Sequence, residues 1–248
     1  MTTPLKNKLI VALDVDNASE ALQFENILKG NVGMFKIGSQ LFTAAGPDLV
    51  REIVAAGERV FLDLKFHDIP NTVAAAATEA TRLGVSVFNV HAAGGSEMML
   101  RTVQAVDRCV EEEGLSRPLV IAVTILTSAD KAMLAELGYD SEPATLVQRF
   151  ALLAEANGMD GVVASPQEVA LIRATVKKPK FVIITPGVRP TGALTSDQKR
   201  VTTPREAIIA GADYLVVGRP ILQAADPAFA AQQILEEMEN SATSGVAI

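Results

Sequence analysis

The sequence predicts a closed (β/α)₈ barrel, a TIM barrel, built as a single domain. Three observations carry that prediction. Apolar runs of strand length recur eight times, each followed by a segment of helical pattern. The runs are nearly continuous in apolar residues, as expected of a parallel sheet buried on both faces. The chain has 248 residues, the size at which this barrel forms one domain. An open doubly wound sheet is the alternative, and it usually carries a glycine-rich phosphate turn after its first strand. Here that place reads Asp14-Val15-Asp16-Asn17.

Taken in order, Leu9–Val15 is the first strand, and Asn17 is suited to cap a helix over Ala18–Lys29. Met34–Gly38 is the second strand. Gln40–Ala56 is helical, with Gly46-Pro47 as an internal break that begins a second piece. Arg59–Phe66 is the third strand, and Pro70 opens the alanine-rich helix Pro70–Leu83, where a missing N–H is no loss. Val85–Ala92 is the fourth strand; Ser96–Glu113 is the helix after it, stopped by Gly114. Leu119–Leu126 is the fifth strand, followed by helices over Ala129–Leu137 and Pro143–Ala156. Gly161–Ala164 is the sixth, with Ser165-Pro166 starting a helix, and Phe181–Thr185 the seventh. A short helix over Pro204–Ala210, the eighth strand Tyr214–Gly218 and a last helix over Pro227–Asn240 complete the pattern; Ser241–Ile248 reads as a frayed tail. No linker marks a second domain, so residues 1–248 form one unit with a core over residues 9–240. The one long irregular connection, 188–203, has the length of a functional, mobile loop.

Composition narrows the function. Hydrophobic residues are 49 % and charged residues 21 %, which excludes bulk disorder. A net charge of −7 argues against a nucleic acid or an anionic membrane as partner, without excluding a local cationic pocket for a phosphate. No apolar run is long enough for a membrane span or a signal segment. A single cysteine, Cys109, allows no intrachain disulfide and fits a cytoplasmic location.

Active sites of this barrel lie at the C-terminal ends of the strands. Those ends carry Asp14, Lys36, Asp63 and Lys65, His91, Thr127, Ser165, Arg189 and Gly218-Arg219. The densest set lies in Phe61–Thr72. Residues two apart on a strand share a face, so Asp63 and Lys65 point together, opposite Leu62, Leu64 and Phe66. Asp68 follows just past the strand end. A structural ion pair is one reading of this stretch and a reaction centre the other. Lys36 inside MFKIG needs a carboxylate partner, and Asp63 on the adjacent strand is the natural one. Bland roles exist for several of these residues: Asp14 and Thr127 could cap the following helices, His91 could bond loop backbone, and His67 could be structural. Gly218 permits close approach of a ligand to the backbone, and Arg219 offers a forked donor set suited to phosphate. Two histidines and one cysteine supply no metal-ligand spacing, and no P-loop or dinucleotide fingerprint is present, so no metal and no cofactor are expected.

Seven stretches carry a family likeness: ALDVD (12–16), FKIG (35–38), DLKFHDIPNT (63–72), Thr127-Ser128, TPGVRP (185–190), the loop with Gln198, and VVGRPI (216–221). Together, in this order, they resemble the orotidine 5′-phosphate decarboxylases of the bacterial type. DLKFHDIPNT is the most specific, and the likeness runs over residues 9–222 with no departure at a motif position. The resemblance implies metal-free and cofactor-free conversion of orotidine 5′-phosphate to uridine 5′-phosphate and CO₂, the last step of pyrimidine nucleotide synthesis, by a cytoplasmic homodimer. It also implies roles: Lys65 as proton donor; Lys36, Asp63, Lys65 and Asp68 as a charge array, with Asp68, Ile69 and Thr72 reaching into the neighbouring subunit's site. Asp14 and Lys36 would bind the ribose side, Thr127 would lie near the base, and Arg189, Gln198, Gly218 and Arg219 would surround the phosphate. Phosphosugar decarboxylases and aldolases of the same suprafamily resemble it in their D-x-K-x-x-D pattern but use magnesium and carry an acidic residue where Lys36 stands. A phosphopentose epimerase would need metal-binding histidines, and a non-catalytic phosphoribosyl-binding barrel would not need Lys65 and the aspartates.

Overall fold

A computed structural model describes residues 4–190 and 202–239. Eight parallel strands close into a barrel in sequence order: β1 Leu9–Ala12, β2 Met34–Gly38, β3 Val60–Phe66, β4 Val87–His91, β5 Leu119–Val123, β6 Gly161–Val163, β7 Val182–Pro186 and β8 Tyr214–Val217. β8 pairs back onto β1 through Leu9↔Leu215 and Val11↔Val217. The helices are α1 Ala18–Leu28, α2 Ser39–Ala55, α3 Pro70–Arg82, α4 Gly95–Glu113, α5 Lys131–Glu136, α6 Pro143–Ala156, α7 Val169–Thr175, α8 Pro204–Ile209, α9 Arg219–Leu222 and α10 Pro227–Glu239. The tail 241–248 and most of the 188–203 connection lie outside the described residues.

Period-two alternation sorts the strand residues into two apolar clusters. Leu9, Val11, Phe35, Ile37, Leu62, Phe88 and Val90 face outward and pack under the helices. Ile10, Ala12, Met34, Phe61, Val87, Ile121, Val123, Val163, Ile184 and Val216 face inward and fill the lumen. Met34 and Phe61 are buried to within 1 %, and each such side chain stabilises the fold by about 1.5–3 kcal/mol. Both faces of the sheet are therefore dry, which is why the strands read as unbroken apolar runs.

Local chemistry explains the helix boundaries. The Asn17 side chain accepts from the Glu20 amide and starts α1. α2 breaks at Gly46 (φ 69°, ψ −170°), a conformation open to glycine, and resumes at Pro47. Gly114 ends α4 in the left-handed region. At the N-terminal rim one device occurs twice. Asp160 accepts from the Val120 amide and from Arg117, and Asp213 accepts from the Ile183 amide and from Arg173. Each carboxylate thus satisfies a strand-end N–H and a cation at the face away from the candidate site.

Two expectations need correction here. LVIAVTIL does not form one strand to Leu126. Pairing with β6 stops at Val123↔Val163, and the Thr124 amide and hydroxyl both turn to the Val163 carbonyl. Ile125 and Leu126 are apolar because they line a cavity beyond the sheet. Nor does Thr127 cap the next helix: Asp130 does, accepting from the Met133 amide, so α5 starts at Lys131. The short α9 and the 3₁₀ turns Leu5–Lys8 and Ala92–Gly94 are elements that the apolar pattern does not signal.

Candidate active site

The inward positions change character along the strands. Met34 is followed two residues on by Lys36, Phe61 by Asp63, and Val87 by Asn89 and then His91, so the lumen ends in a polar layer at the C-terminal mouth. Lys36 is enclosed there, 9 % exposed at its side chain. Its Nζ lies 3.0 Å from Asp14 Oδ1 and 3.5 Å from Asp63 Oδ2. Asp63 is thus a partner of Lys36, as expected, but Asp14 is the nearer one. An ammonium buried between two carboxylates avoids the large cost of an unpaired charge. Gly38 makes room for it, because a Cβ built on this residue would stand 3.0 Å from the Lys36 Nζ.

Lys65 Nζ lies 2.7 Å from Asp63 Oδ1, so a continuous chain of alternating charge runs Asp14–Lys36–Asp63–Lys65. Asp63 and Lys65 meet, but not by simple alternation along a strand. The β3–β4 register passes from Leu62↔Phe88 to Phe66↔Val90, so Asp63, Leu64 and Lys65 stand opposite Asn89 alone. In this bulge Lys65 takes a left-handed backbone (φ 53°), rare for a residue with a side chain. Asn89, wholly buried, accepts from the Lys65 amide at 2.8 Å and donates to Asp63 Oδ1 at 2.7 Å. Asn89 is absent from the sequence-derived set of site residues. The available signal was a lone amide inside the apolar run VFNVH, on the inward alternation.

Beside this chain of charge lies a cavity of about 120 Å³, lined by Asp14, Lys36, Arg189, Gly218 and Arg219 together with Pro186–Val188. Arg189 is buried, and its amide donates to the Thr202 carbonyl at 3.0 Å, which ties the two ends of the 188–203 connection together. Three cationic side chains and a glycine around a small recess suit a phosphate dianion. Gln198, assigned to the same place by resemblance, lies outside the described residues.

Other expected residues stand apart from this cluster. Asp68 is exposed and accepts from the Ile69 amide; among the described residues no ion pair joins it to Lys65. Ile69 is 67 % exposed. Thr72, in the first turn of α3, is also exposed. Thr127 is half-buried in the loop after β5 and does not line the phosphate-sized recess.

A second, largely apolar cavity of about 320 Å³ opens next to the array, lined by His67, His91, Leu126, Leu137, Tyr139 and Phe150 among others. The His67 and His91 rings are 5.4 Å apart. Neither ring hydrogen-bonds loop backbone among the described residues, so the bland role considered for His91 is replaced by ring-on-ring packing. Burial, then the His67 and Lys65 charges, push His91 below its ordinary value of 6.5, with Asp63 opposing. Between the two values the unfolded chain binds more protons than the folded one. The contribution of His91 therefore favours folding above pH 6.5 and is lost as pH falls from 6.5 toward the folded value. A proton-NMR titration is expected to give a His91 midpoint below 6.5. His91→Gln should flatten the stability slope in that window; a midpoint at or above the ordinary value contradicts the assignment.

Among the described residues no three His, Cys, Asp or Glu side chains gather as a metal site, and no helix is long and apolar enough to cross a membrane.

Fold and site together define a (β/α)₈-barrel enzyme with its charged groups at the C-terminal mouth. The family model for orotidine 5′-phosphate decarboxylase / HUMPS proteins matches residues 7–234, and the chain belongs to that family. It is 53 % identical to the orotidine 5′-phosphate decarboxylase of Syntrophotalea carbinolica, over 99 % of this chain and 100 % of that one. With the Geobacter sulfurreducens enzyme of the same name it shares 55 % identity over 94 % of this chain and 96 % of that one. Among solved structures, orotidine 5′-phosphate decarboxylase from Lactobacillus acidophilus superimposes with a TM-score of 0.82 at 36 % identity, covering 93 % of this chain and 98 % of that one.

Proposed function

We propose that the protein converts orotidine 5′-phosphate to uridine 5′-phosphate and CO₂, the closing step of pyrimidine nucleotide synthesis, without metal or cofactor. The observation that carries this reading is the alternating chain Asp14–Lys36–Asp63–Lys65 beside a recess lined by Arg189 and Arg219. The C6–carboxylate bond breaks and its electron pair stays on C6, in the plane of the ring, where no π-system can take it up. An ammonium at C6 stabilises that charge electrostatically and then delivers a proton to it. Lys65 is assigned this role, and its nitrogen regains a proton from water afterwards. Asp63 holds the Lys65 ammonium in place, and Lys36 with Asp14 binds the ribose. Arg189, Gln198, Gly218 and Arg219 take the phosphate, whose binding energy is available to order the site around the reacting carbon. Thr127 is assigned to the base.

The working enzyme is read as a cytoplasmic homodimer of single-domain subunits, in which Asp68, Ile69 and Thr72 complete the partner's site. Their exposure beside the site of their own chain supports that arrangement. Lys36 favours this reaction over magnesium-dependent phosphosugar chemistry, since its ammonium stands where a metal would need a carboxylate. Added to orotidine 5′-phosphate in the presence of EDTA, the protein is expected to lower the absorbance on the long-wavelength side of the orotate band as the uracil ring forms. An unchanged spectrum at high protein concentration sinks the proposal, and a requirement for magnesium sinks its metal-free form.

A further inference from the structure

Asn89 is a wholly buried amide inside a strand whose other buried residues, Val87, Phe88 and Val90, are apolar. The bulge between Leu62 and Phe66 leaves it facing three residues of β3. A backbone N–H inside such a bulge loses its ladder partner. For Lys65 that partner is replaced by Asn89 Oδ1 at 2.8 Å, while Asn89 Nδ2 donates to Asp63 Oδ1 at 2.7 Å. The two ends of the amide are not interchangeable here. A backbone N–H only donates and an ionised carboxylate only accepts, so the oxygen must face Lys65 and the nitrogen Asp63. One side chain thereby fixes the left-handed backbone from which the Lys65 side chain departs. It also fixes the carboxylate that holds the Lys65 ammonium at 2.7 Å.

We propose that Asn89 is a positioning residue of the decarboxylase site, setting the Lys65 ammonium and the Asp63 carboxylate in their working geometry through its two amide hydrogen bonds. This rests on the decarboxylase reading above. Asn89 acts through Asp63 and Lys65 and leaves the phosphate recess alone, so its removal should separate turnover from binding.

Asn89→Leu keeps the volume and deletes both hydrogen bonds. It is expected to lower kcat about 100-fold, the size of effect a misplaced reacting group produces, with KM for orotidine 5′-phosphate little changed. In its crystal structure the Lys65 Nζ should have left hydrogen-bond reach of Asp63. Asn89→Asp keeps an oxygen for the Lys65 amide but sets a carboxylate against Asp63, with Lys36 and Lys65 the cations nearby. Its turnover should be depressed at neutral pH and partly restored as pH falls and the acid pair takes up a proton. Wild-type kcat in either folded variant overturns the proposal, as does an Asn89→Leu structure with the Lys65–Asp63 contact unmoved. Should Asn89→Leu not fold, Asn89→Asp decides alone. If the unaltered protein does not decarboxylate orotidine 5′-phosphate, the functional reading fails, and the crystallographic comparison still judges Asn89.

Discussion

Lys65→Ala is expected to reduce turnover of orotidine 5′-phosphate by about 10⁴-fold or more, a loss of roughly 5 kcal/mol of transition-state stabilisation. The substitution removes two functions at once, a positive charge at the developing carbanion and the proton that quenches it. Binding should survive. Arg189, Gly218 and Arg219 line a recess to which Lys65 does not contribute, and Lys36 keeps its contacts to Asp14 and Asp63. The measurement is kcat beside the dissociation constant of uridine 5′-phosphate. Near-normal kcat overturns the role of Lys65, and lost binding shows that the substitution damaged more than chemistry. The left-handed backbone at this residue supplies a control. Glycine relieves a conformation that costs a residue with a Cβ about 1 kcal/mol or more. Lys65→Gly should therefore be as inactive as Lys65→Ala yet more stable to urea.

The second large effect is recovery of activity from two dead proteins. Asp68→Ala and Lys65→Ala, each purified inactive, should regain activity when unfolded together and refolded as a mixture. In a C₂ dimer whose sites borrow Asp68 from the neighbour, a mixed dimer has one site with both residues and one with neither. Random assortment makes about half of the dimers mixed, so about a quarter of the wild-type sites should return. Asp68 invites the test because it is exposed, its carboxylate bonds only the adjacent Ile69 amide among the described residues, and Ile69 beside it is a bare hydrophobe. A mixture that stays inactive while forming mixed dimers would assign Asp68 to its own subunit or to no site.

The barrel was legible because its physics is periodic. Strands buried on both faces must be apolar throughout, and Asn17, Gly46, Gly114 and Asp14-Val15-Asp16 punctuate the pattern at the right places. The charged residues were legible for the complementary reason: Lys36 and Asp63 cannot be explained as core. Less visible was what depends on register. Nothing in LDLKF announces that two residues have been added opposite Asn89, since a bulge preserves composition and changes only pairing. Alternation therefore put Asp63 and Lys65 together by the wrong route, and Asn89 passed as one polar residue in an apolar strand. The end of β5 failed for a related reason, because Ile125 and Leu126 are apolar toward a cavity beyond the sheet and not as paired strand residues. Thr127 lost the cap to Asp130 because the chain needed three more residues to leave the sheet before α5 could begin.

The lumen cluster under the mouth has a consequence for the charges above it. Ile10, Ala12, Met34, Phe61, Val87, Ile121 and Val216 form a floor of hydrocarbon directly beneath Lys36, Asp63 and Lys65. Hydrocarbon polarises little, so this floor cannot screen the ions from below as water would. Their field is confined to the one direction left open, toward whatever occupies the mouth, and low-dielectric walls concentrate it there. The barrel acts as an insulator with a single aperture, and the same apolar side chains that hold the sheet closed set how strongly these three charged groups are felt by a bound ligand.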